Sequence, residues 1–396
     1  MERNFSTLSL HTRLSKEEED GSTSVVPSIT NAATFKTSSD YILGQGNAYC
    51  YGRYGNTTRN TLEATIAKLE GAAQAFAFSS GMAATSAVVD GLLKQGDEVV
   101  ASKQMYGGTY SLFTEDLHKF GVCLKLVDKS VVDDIVSALT SKTRLVWLEV
   151  CSNPLLKILD LALMVKAIKG YKSDIIICID NTFLSPFIVK PLSFGVDMVM
   201  HSMSKYYGGH SDIIMGCLAM NDPALGSQIL RAQRMRGGVP SAFDCYLMIR
   251  SIYTLEIRMM KHHENALAVA NFLADHPGVA EVVHPLLANH PSHDLAQQQH
   301  GGLHSGMIAF TIKGGKREAL AFFDNLKFIT YAVSLGGVHS LISHPMSTTH
   351  SFLKPEDCSA VGIHEGTVRF SVGIENVEDI KTELNRALRT ALKLEI

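Results

Sequence analysis

A lysine able to act as a nucleophilic amine stands at position 205, in the run Ser202-Met203-Ser204-Lys205-Tyr206-Tyr207-Gly208-Gly209-His210-Ser211-Asp212. It follows residues 197–201, an apolar stretch that reads as a buried strand. A desolvated amine at a strand end can form an imine with an aldehyde. Three other strand-like runs end on residues that would complement it. Residues 174–180 close on Asp180, an acid able to sit under a pyridinium nitrogen and keep it protonated. Residues 75–78 lead into Ser79-Ser80-Gly81-Met82, where a glycine opens a helix and presents backbone N–H groups to phosphate. Residues 98–102 lead to Tyr106-Gly107-Gly108-Thr109, an aromatic on a glycine-flanked loop that could stack on a flat ring.

Each residue also has a plainer reading. Lys205 could be a surface lysine, Asp180 a cap for the next turn, Ser80-Gly81 a simple strand-to-helix turn, and Tyr106 a core or surface tyrosine. Their order carries more than any one of them. A phosphate turn, a stacking aromatic, an acid and a lysine at successive strand ends are what one cofactor, pyridoxal 5′-phosphate, requires. No G-x-G-x-x-G or Walker pattern occupies the turn, so a dinucleotide or ATP is poorly supported.

The elements that must position these groups alternate between strand and helix. Further candidate strands are 124–127, 144–150 and 216–220, several of them apolar on successive residues, as in a sheet buried on both faces. Residues 81–93 and 132–139 carry helical periodicity, and Asn56-Thr57-Thr58 could cap a helix through Leu62, Ile66 and Leu69. The sum is an α/β fold with helices on both sides of a mostly parallel sheet. Beyond residue 250 the reading is a long helix at 255–275, strands at 307–312 and 367–373, and a closing helix at 376–394. Asn376 and Asp379 approximate a capping box there. Three divisions follow: an N-terminal arm at 1–55, a cofactor-binding domain at 56–250 and a smaller C-terminal α/β domain at 251–396.

The bulk numbers fit a soluble globular protein. The chain has 396 residues, 46% hydrophobic and 19% charged, enough for two or three domains with a sizeable core. A formal charge of −3 leaves no basic footprint for nucleic acid or an anionic membrane. The N-terminus lacks the apolar run of a signal peptide, and no stretch approaches the roughly 18 apolar residues of a membrane span. The seven cysteines are scattered and mostly sit in apolar runs, which suits free thiols and a cytoplasmic protein. Among the sixteen histidines, His290-x-x-His293 and His262-His263 are the nearest approach to a metal motif. Neither sits in an H-E-x-x-H motif or with paired cysteines, so no metal is expected. His210 reads as structural, and Trp147 and the methionines as core.

The ordered set resembles the Cys/Met-metabolism, or transsulfuration, family of pyridoxal-phosphate enzymes over nearly the whole chain. Ser202-x-Ser204-Lys205-Tyr206 with Gly209-His210-Ser211-Asp212 is similar to the family's cofactor-attachment signature. Tyr51-Gly52-Arg53-Tyr54-Gly55-Asn56, Ser334-Leu335-Gly336-Gly337 and Thr367-Val368-Arg369-Phe370-Ser371-Val372-Gly373 also match. The resemblance implies an aspartate-aminotransferase-like (fold type I) large domain and a homotetramer of two catalytic dimers. By the same resemblance Lys205 is the Schiff-base lysine and proton shuttle, Asp180 pairs with the pyridine nitrogen and Tyr106 stacks on the ring. Gly81, Met82, Ser202 and Ser204 hold the phosphate, with Ser204 where the family has threonine. Tyr51 and Arg53 reach the cofactor phosphate of a neighbouring subunit. Asn153, Ser334 and Arg369 hold the substrate, Arg369 gripping its α-carboxylate as a planar fork suits.

Three positions bear on the substrate. Where cystathionine γ-lyases typically carry Glu, Arg and Glu, this chain has Cys50, Ser111 and Val333. The second amino-acid end of cystathionine needs charged partners, whereas Val333 suits a short thioether. Against this, Tyr106-Gly107-Gly108-Thr109 and Val239-Pro240-Ser241-Ala242-Phe243-Asp244-Cys245-Tyr246 resemble cystathionine γ-lyases; many methionine γ-lyases have Cys at the second glycine. The expectation is a carbon–sulfur lyase that converts methionine or homocysteine to 2-oxobutanoate, ammonia and a thiol. Cystathionine γ-lyase, a γ-synthase or β-lyase, and a non-catalytic scaffold of the same fold are the alternatives.

Overall fold

A computed structural model describes residues 4–11, 25–37, 49–128, 131–348 and 362–394. The acidic run of the arm and Cys358 lie outside the described residues. Among the described residues twelve strands form two sheets. The larger contains β1 (Gln74–Phe78), β2 (Glu98–Ser102), β3 (Cys123–Val127), β4 (Thr143–Glu149), β5 (Ile176–Asp180), β6 (Met198–Ser202) and β7 (Gly216–Met220). Their order is β1-β7-β6-β5-β4-β2-β3. The neighbours from β6 to β3 pair in parallel, while β7 runs antiparallel to both β1 and β6. Two reversals leave β1 parallel to β6. The carboxyl ends of β1, β2, β4, β5 and β6 therefore share one edge, together with the amino end of β7. Ligands gather at that edge in open α/β sheets.

The apolar runs behave as buried strands should. On β4, Leu145 and Trp147 join one core, while Val146 and Leu148 join the core on the opposite face. Period-two alternation thus feeds two cores from one uninterrupted apolar run. The helix Thr57–Glu70 opens as its sequence predicts, with the Asn56 side chain accepting from the N–H groups of Thr58 and Arg59. It closes at Gly71 in the left-handed conformation, φ 68°.

The second sheet comprises β8 (Val279–Val283), β9 (Met307–Ile312), β10 (Thr330–Tyr331), β11 (Leu341–Ser343) and β12 (Thr367–Ser371), in the order β10-β11-β12-β9-β8. The helix Leu255–Ala274 spans two cores: Met259 packs in one shared with β7, Ala266 and Val269 in the one behind the second sheet. The helix Val377–Leu392 closes that core with Ile380, Leu384, Ala387 and Leu388. The cap at Asn376 is simpler than a capping box: its side chain accepts from Glu378 N–H. The arm also holds a short helix, Phe5–Leu10, whose Phe5 ring meets Phe187 edge-on at 5.3 Å. β8, β10 and β11 escape the sequence reading. β8 buries its Val279 and Val282 but exposes Ala280 and Glu281, and β10 is only a residue pair, so neither shows a strand period.

Candidate active site

The cofactor edge of the large sheet opens into a cavity of about 1120 Å³. Ser80, Gly81 and Met82 line it, as do Tyr106, Asp180, Ser202, Ser204 and Lys205. The second sheet brings Val333, Ser334 and Arg369, and the loop after β4 brings Asn153. Tyr51 and Arg53 stand apart. Arg53 donates to the Arg234 carbonyl and lies 4.6 Å from the centre of the Tyr54 ring.

The phosphate turn is built by close approach. Ser80 caps the helix Gly81–Leu92, its Oγ accepting from Ala83 N–H at 3.0 Å. Ala84 N–H goes to the Ser80 carbonyl, leaving the first-turn N–H groups of Gly81 and Met82 for an anion. A Cβ on Gly216, the first residue of β7, would lie 2.4 Å from the Ser80 carbonyl oxygen. A Cβ on Gly81 would meet Ser202 at 3.1 Å. Gly216 admits no side chain if the turn is to stay where it is, whereas at Gly81 the Ser202 and Met200 side chains would have to yield by a few tenths of an ångström.

Asp180 ends β5 and accepts from Thr182 N–H at 2.9 Å; the Thr182 hydroxyl in turn accepts from Ser202 N–H at 2.8 Å. Tyr106 is 52% exposed, with its backbone N–H donated to Glu149 Oε1 at 2.6 Å. Gly108 lies beneath that ring: a Cβ there would sit 2.6 Å from Tyr106 Cε1 and 2.9 Å from Met82 Sδ. Ser204 borders the cavity with its hydroxyl engaged by Met215, whose N–H donates to it at 3.0 Å.

Lys205 Nζ donates to Ser334 Oγ at 2.7 Å. Burial, helped by the nearby Arg369 charge, pushes its pKa down to about 8, which favours a neutral, nucleophilic amine. Arg369 is buried on β12 and donates to the Ser334 carbonyl at 2.9 Å; burial lowers its pKa to about 10. One serine thus contacts both cations, at a backbone φ of 91°. A non-glycine residue there carries strain, which tends to concentrate at functional sites. Gly336, φ 74°, lets the same segment press against the lysine turn, since a Cβ would stand 2.8 Å from Tyr206 N.

Four contributors escape the sequence reading. Glu149 ends an apolar strand as Asp180 does, and that shared signal could have found it. Thr182 follows Asp180 directly. Gly216 opens a strand whose register is invisible in sequence. Arg258, buried on the long helix, donates to the carbonyls of Tyr206, Tyr207 and Ser251 and so clamps the lysine turn.

The residues fit pyridoxal phosphate. The glycine-built turn suits its phosphate, Asp180 its pyridine nitrogen and Lys205 its aldehyde. Asn153 Oδ1 is buried on the cavity wall with no hydrogen-bond partner, a place for a ligand donor. The model of the family described as Cys/Met metabolism PLP-dependent enzyme matches residues 6–389. The chain belongs to this family. Mouse cystathionine gamma-lyase is 41% identical over 389 residues, covering 98% of this chain and 96% of the mouse protein. The cystathionine gamma synthase of Xanthomonas oryzae pv. oryzae, solved with aminoacrylate and cysteine, superposes with a TM-score of 0.93 at 37% identity over 100% of each chain. The cystathionine gamma-lyase of Lactobacillus plantarum, complexed with L-serine, gives 0.92 at 36%, covering 98% of this chain and 100% of that one.

In this PLP-dependent enzyme three histidines meet in the interior. His284 packs edge-on against His304 at 5.3 Å, and His300 stacks on His304 at 5.7 Å. Burial, with weaker repulsion from His263 and His290, pushes His284 down to about 3; burial pushes His300 down to about 4. Among the described residues no group of three or more His, Cys, Asp or Glu side chains is arranged to hold a metal ion. Nor is any described helix long and apolar enough to cross a membrane. Of the thiols, Cys151, Cys178, Cys217 and Cys245 are buried, while Cys50 is half-buried and Cys123 exposed.

Proposed function

We propose that this enzyme eliminates the γ-substituent of a sulfur amino acid whose distal end carries no ammonium, methionine or homocysteine being the simplest. The single observation behind this reading is the mouth of the cavity. Val333, 63% exposed, borders it beside Ser334. The carboxylates among the described lining residues are Glu149 and Asp180, both at strand ends and already accepting backbone N–H groups. A distal ammonium would lose water there without gaining an acid.

Bound in the cavity, pyridoxal phosphate supplies an electron sink for charge developing at the substrate Cα. Asp180 would keep the ring nitrogen protonated, and Tyr106 would cover the ring. Arg369 grips the α-carboxylate and fixes the Cα–H bond toward Lys205. Ser334 steers Nζ until that amine takes the Cα proton. The same amine, once it has released that proton, would take one from Cβ, and Tyr106 would give a proton to the departing sulfur. With water the products are 2-oxobutanoate, ammonia and the thiol.

Cystathionine is the second reading. The Gly108 contacts favour it, because a cysteine there would have to displace the Tyr106 ring, and cystathionine γ-lyases resemble this chain at that glycine. The name of the mouse relative points the same way. Side-by-side kcat/KM values for methionine, homocysteine, cystathionine and cysteine, read as 2-oxobutanoate or pyruvate, separate the two. Methionine or homocysteine should lead, and a clear preference for cystathionine sinks the first reading. Lys205→Ala should abolish turnover of all of them.

Residues 56–250 are inferred to hold the cofactor and 251–396 to supply Ser334 and Arg369. Tyr51 and Arg53, absent from the lining of their own cavity, support a homotetramer of catalytic dimers in which they complete a neighbour's phosphate site. A cytoplasmic location accords with the free thiols.

A further inference from the structure

We infer that His339 is a specificity-determining residue: its imidazole donates a hydrogen bond to a carboxylate at the distal end of a γ-substituted amino acid. This deepens the reading above and rests on it. His339 is exposed and lines the cavity. The reacting end already employs Lys205, Arg369, Asp180 and Tyr106. Glu149 and Cys151 are buried in the wall. His339 is the ionisable side chain left among the described lining residues. It lines the same cavity as Val333 and Ile214, which are 63% and 71% exposed.

Its backbone is held firmly. Val338 N–H donates to the Gly209 carbonyl at 2.8 Å, and Ile374 N–H to the Val338 carbonyl at 2.9 Å. On the other side Ser340 gives both its N–H and its hydroxyl to Glu375, at 2.6 and 2.8 Å. The same segment begins at Ser334, which contacts Lys205 and Arg369. The reacting end and the imidazole are therefore set on one pinned stretch of chain. The cavity, at about 1120 Å³, has to hold both the cofactor and the substrate. With no described acid left free and His339 as the remaining ionisable side chain, the lining accepts a distal carboxylate better than an ammonium.

Three homocysteine thioethers isolate this charge pattern. S-propylhomocysteine ends in a methyl group. S-(2-carboxyethyl)homocysteine ends in a carboxylate. Cystathionine is that second compound with an ammonium added beside the carboxylate. All three release 2-oxobutanoate on γ-elimination, so one assay on the holoenzyme ranks them. The carboxyethyl compound should lead both others by about 10-fold in kcat/KM, the scale of a hydrogen bond to a charged group. His339→Leu should remove that lead through KM, leave S-propylhomocysteine within about 2-fold, and be partly rescued by His339→Gln, which keeps a donor. Calorimetric binding of the carboxyethyl and propyl compounds to wild type and His339→Leu reads the same difference without turnover. An unchanged carboxyethyl-to-propyl ratio in His339→Leu, in rate and in binding, overturns the inference. A wild type that prefers cystathionine, or spares methionine and S-propylhomocysteine, overturns the reading beneath it. The variant's ratio still judges His339 separately.

Discussion

Acid should weaken this protein through His300, and one substitution should show it. The ring is buried against His304, its Nδ1 lacks a hydrogen-bond partner, and burial holds its pKa at about 4 against an ordinary 6.5. The folded pKa lies below the unfolded one, so the unfolded chain binds the proton first. The neutral ring costs nothing above pH 6.5; stability falls as pH drops from 6.5 toward 4. At about pH 5 the unfolded state carries nearly one more proton than the folded state at this site. Integrated down from neutral pH, the loss is about 2 kcal/mol, set against a typical total of roughly 5–15 kcal/mol. His300→Phe keeps an aromatic ring and removes the titration. Urea midpoints of the holoenzyme, measured at fixed protein and cofactor concentration from pH 7.5 to 5, should converge on a variant about 2 kcal/mol less acid-sensitive than wild type. His300→Asn, smaller and polar, guards against a Phe variant that packs badly. Wild-type and variant curves that stay parallel across the interval would refute the linkage.

Two further outcomes follow from the site. With Lys205 lowered to about 8, cofactor uptake by the apoenzyme should accelerate up to about pH 8 and level off above it, followed by absorbance; a rate still climbing toward an ordinary lysine's value above pH 10 contradicts the desolvated amine. Gly216→Ala should weaken cofactor binding about 10-fold or more, the size of a typical overpacking penalty of roughly 1–3 kcal/mol falling on the phosphate turn. Gly170→Ala, where a Cβ meets nothing within 4 Å, is the control, and equal cofactor affinities in the two variants would remove the close-approach argument.

The parts of the site legible in sequence are those carried by short contiguous runs. Lys205, Asp180, Ser80-Gly81 and Tyr106 each follow an apolar stretch, and a strand end is where such a stretch stops. Their convergence needed only the rule that parallel strands share an edge. The missing parts depend on partners distant in sequence. Arg258 lies 52 residues from Tyr206 and sits on a helix whose own pattern is complete without it. Gly216 reads as an ordinary strand residue until β7 is known to run backwards between β1 and β6. The histidines illustrate the same limit: His290-x-x-His293 is visible by spacing, whereas His284, His300 and His304 meet only because the chain returns to one place. Tyr51 and Arg53 show the opposite case, since a local motif names them but a single chain leaves them outside the lining of its own cavity.

The reversal at β7 has a consequence for how this enzyme can diversify. Parallel neighbours must be joined by a crossover that leaves the sheet edge and comes back. An antiparallel neighbour needs none, so the chain from Ser202 to Gly216 never departs from the rim. That one loop holds Lys205 near its start and Ile214 near its end. Lengthening or reshaping it to suit a new substrate would shift the reactive amine at the same time. Selection for new specificity should therefore fall on the opposite bank, residues 330–339 and Thr348, where the mouth can change while the lysine stays put.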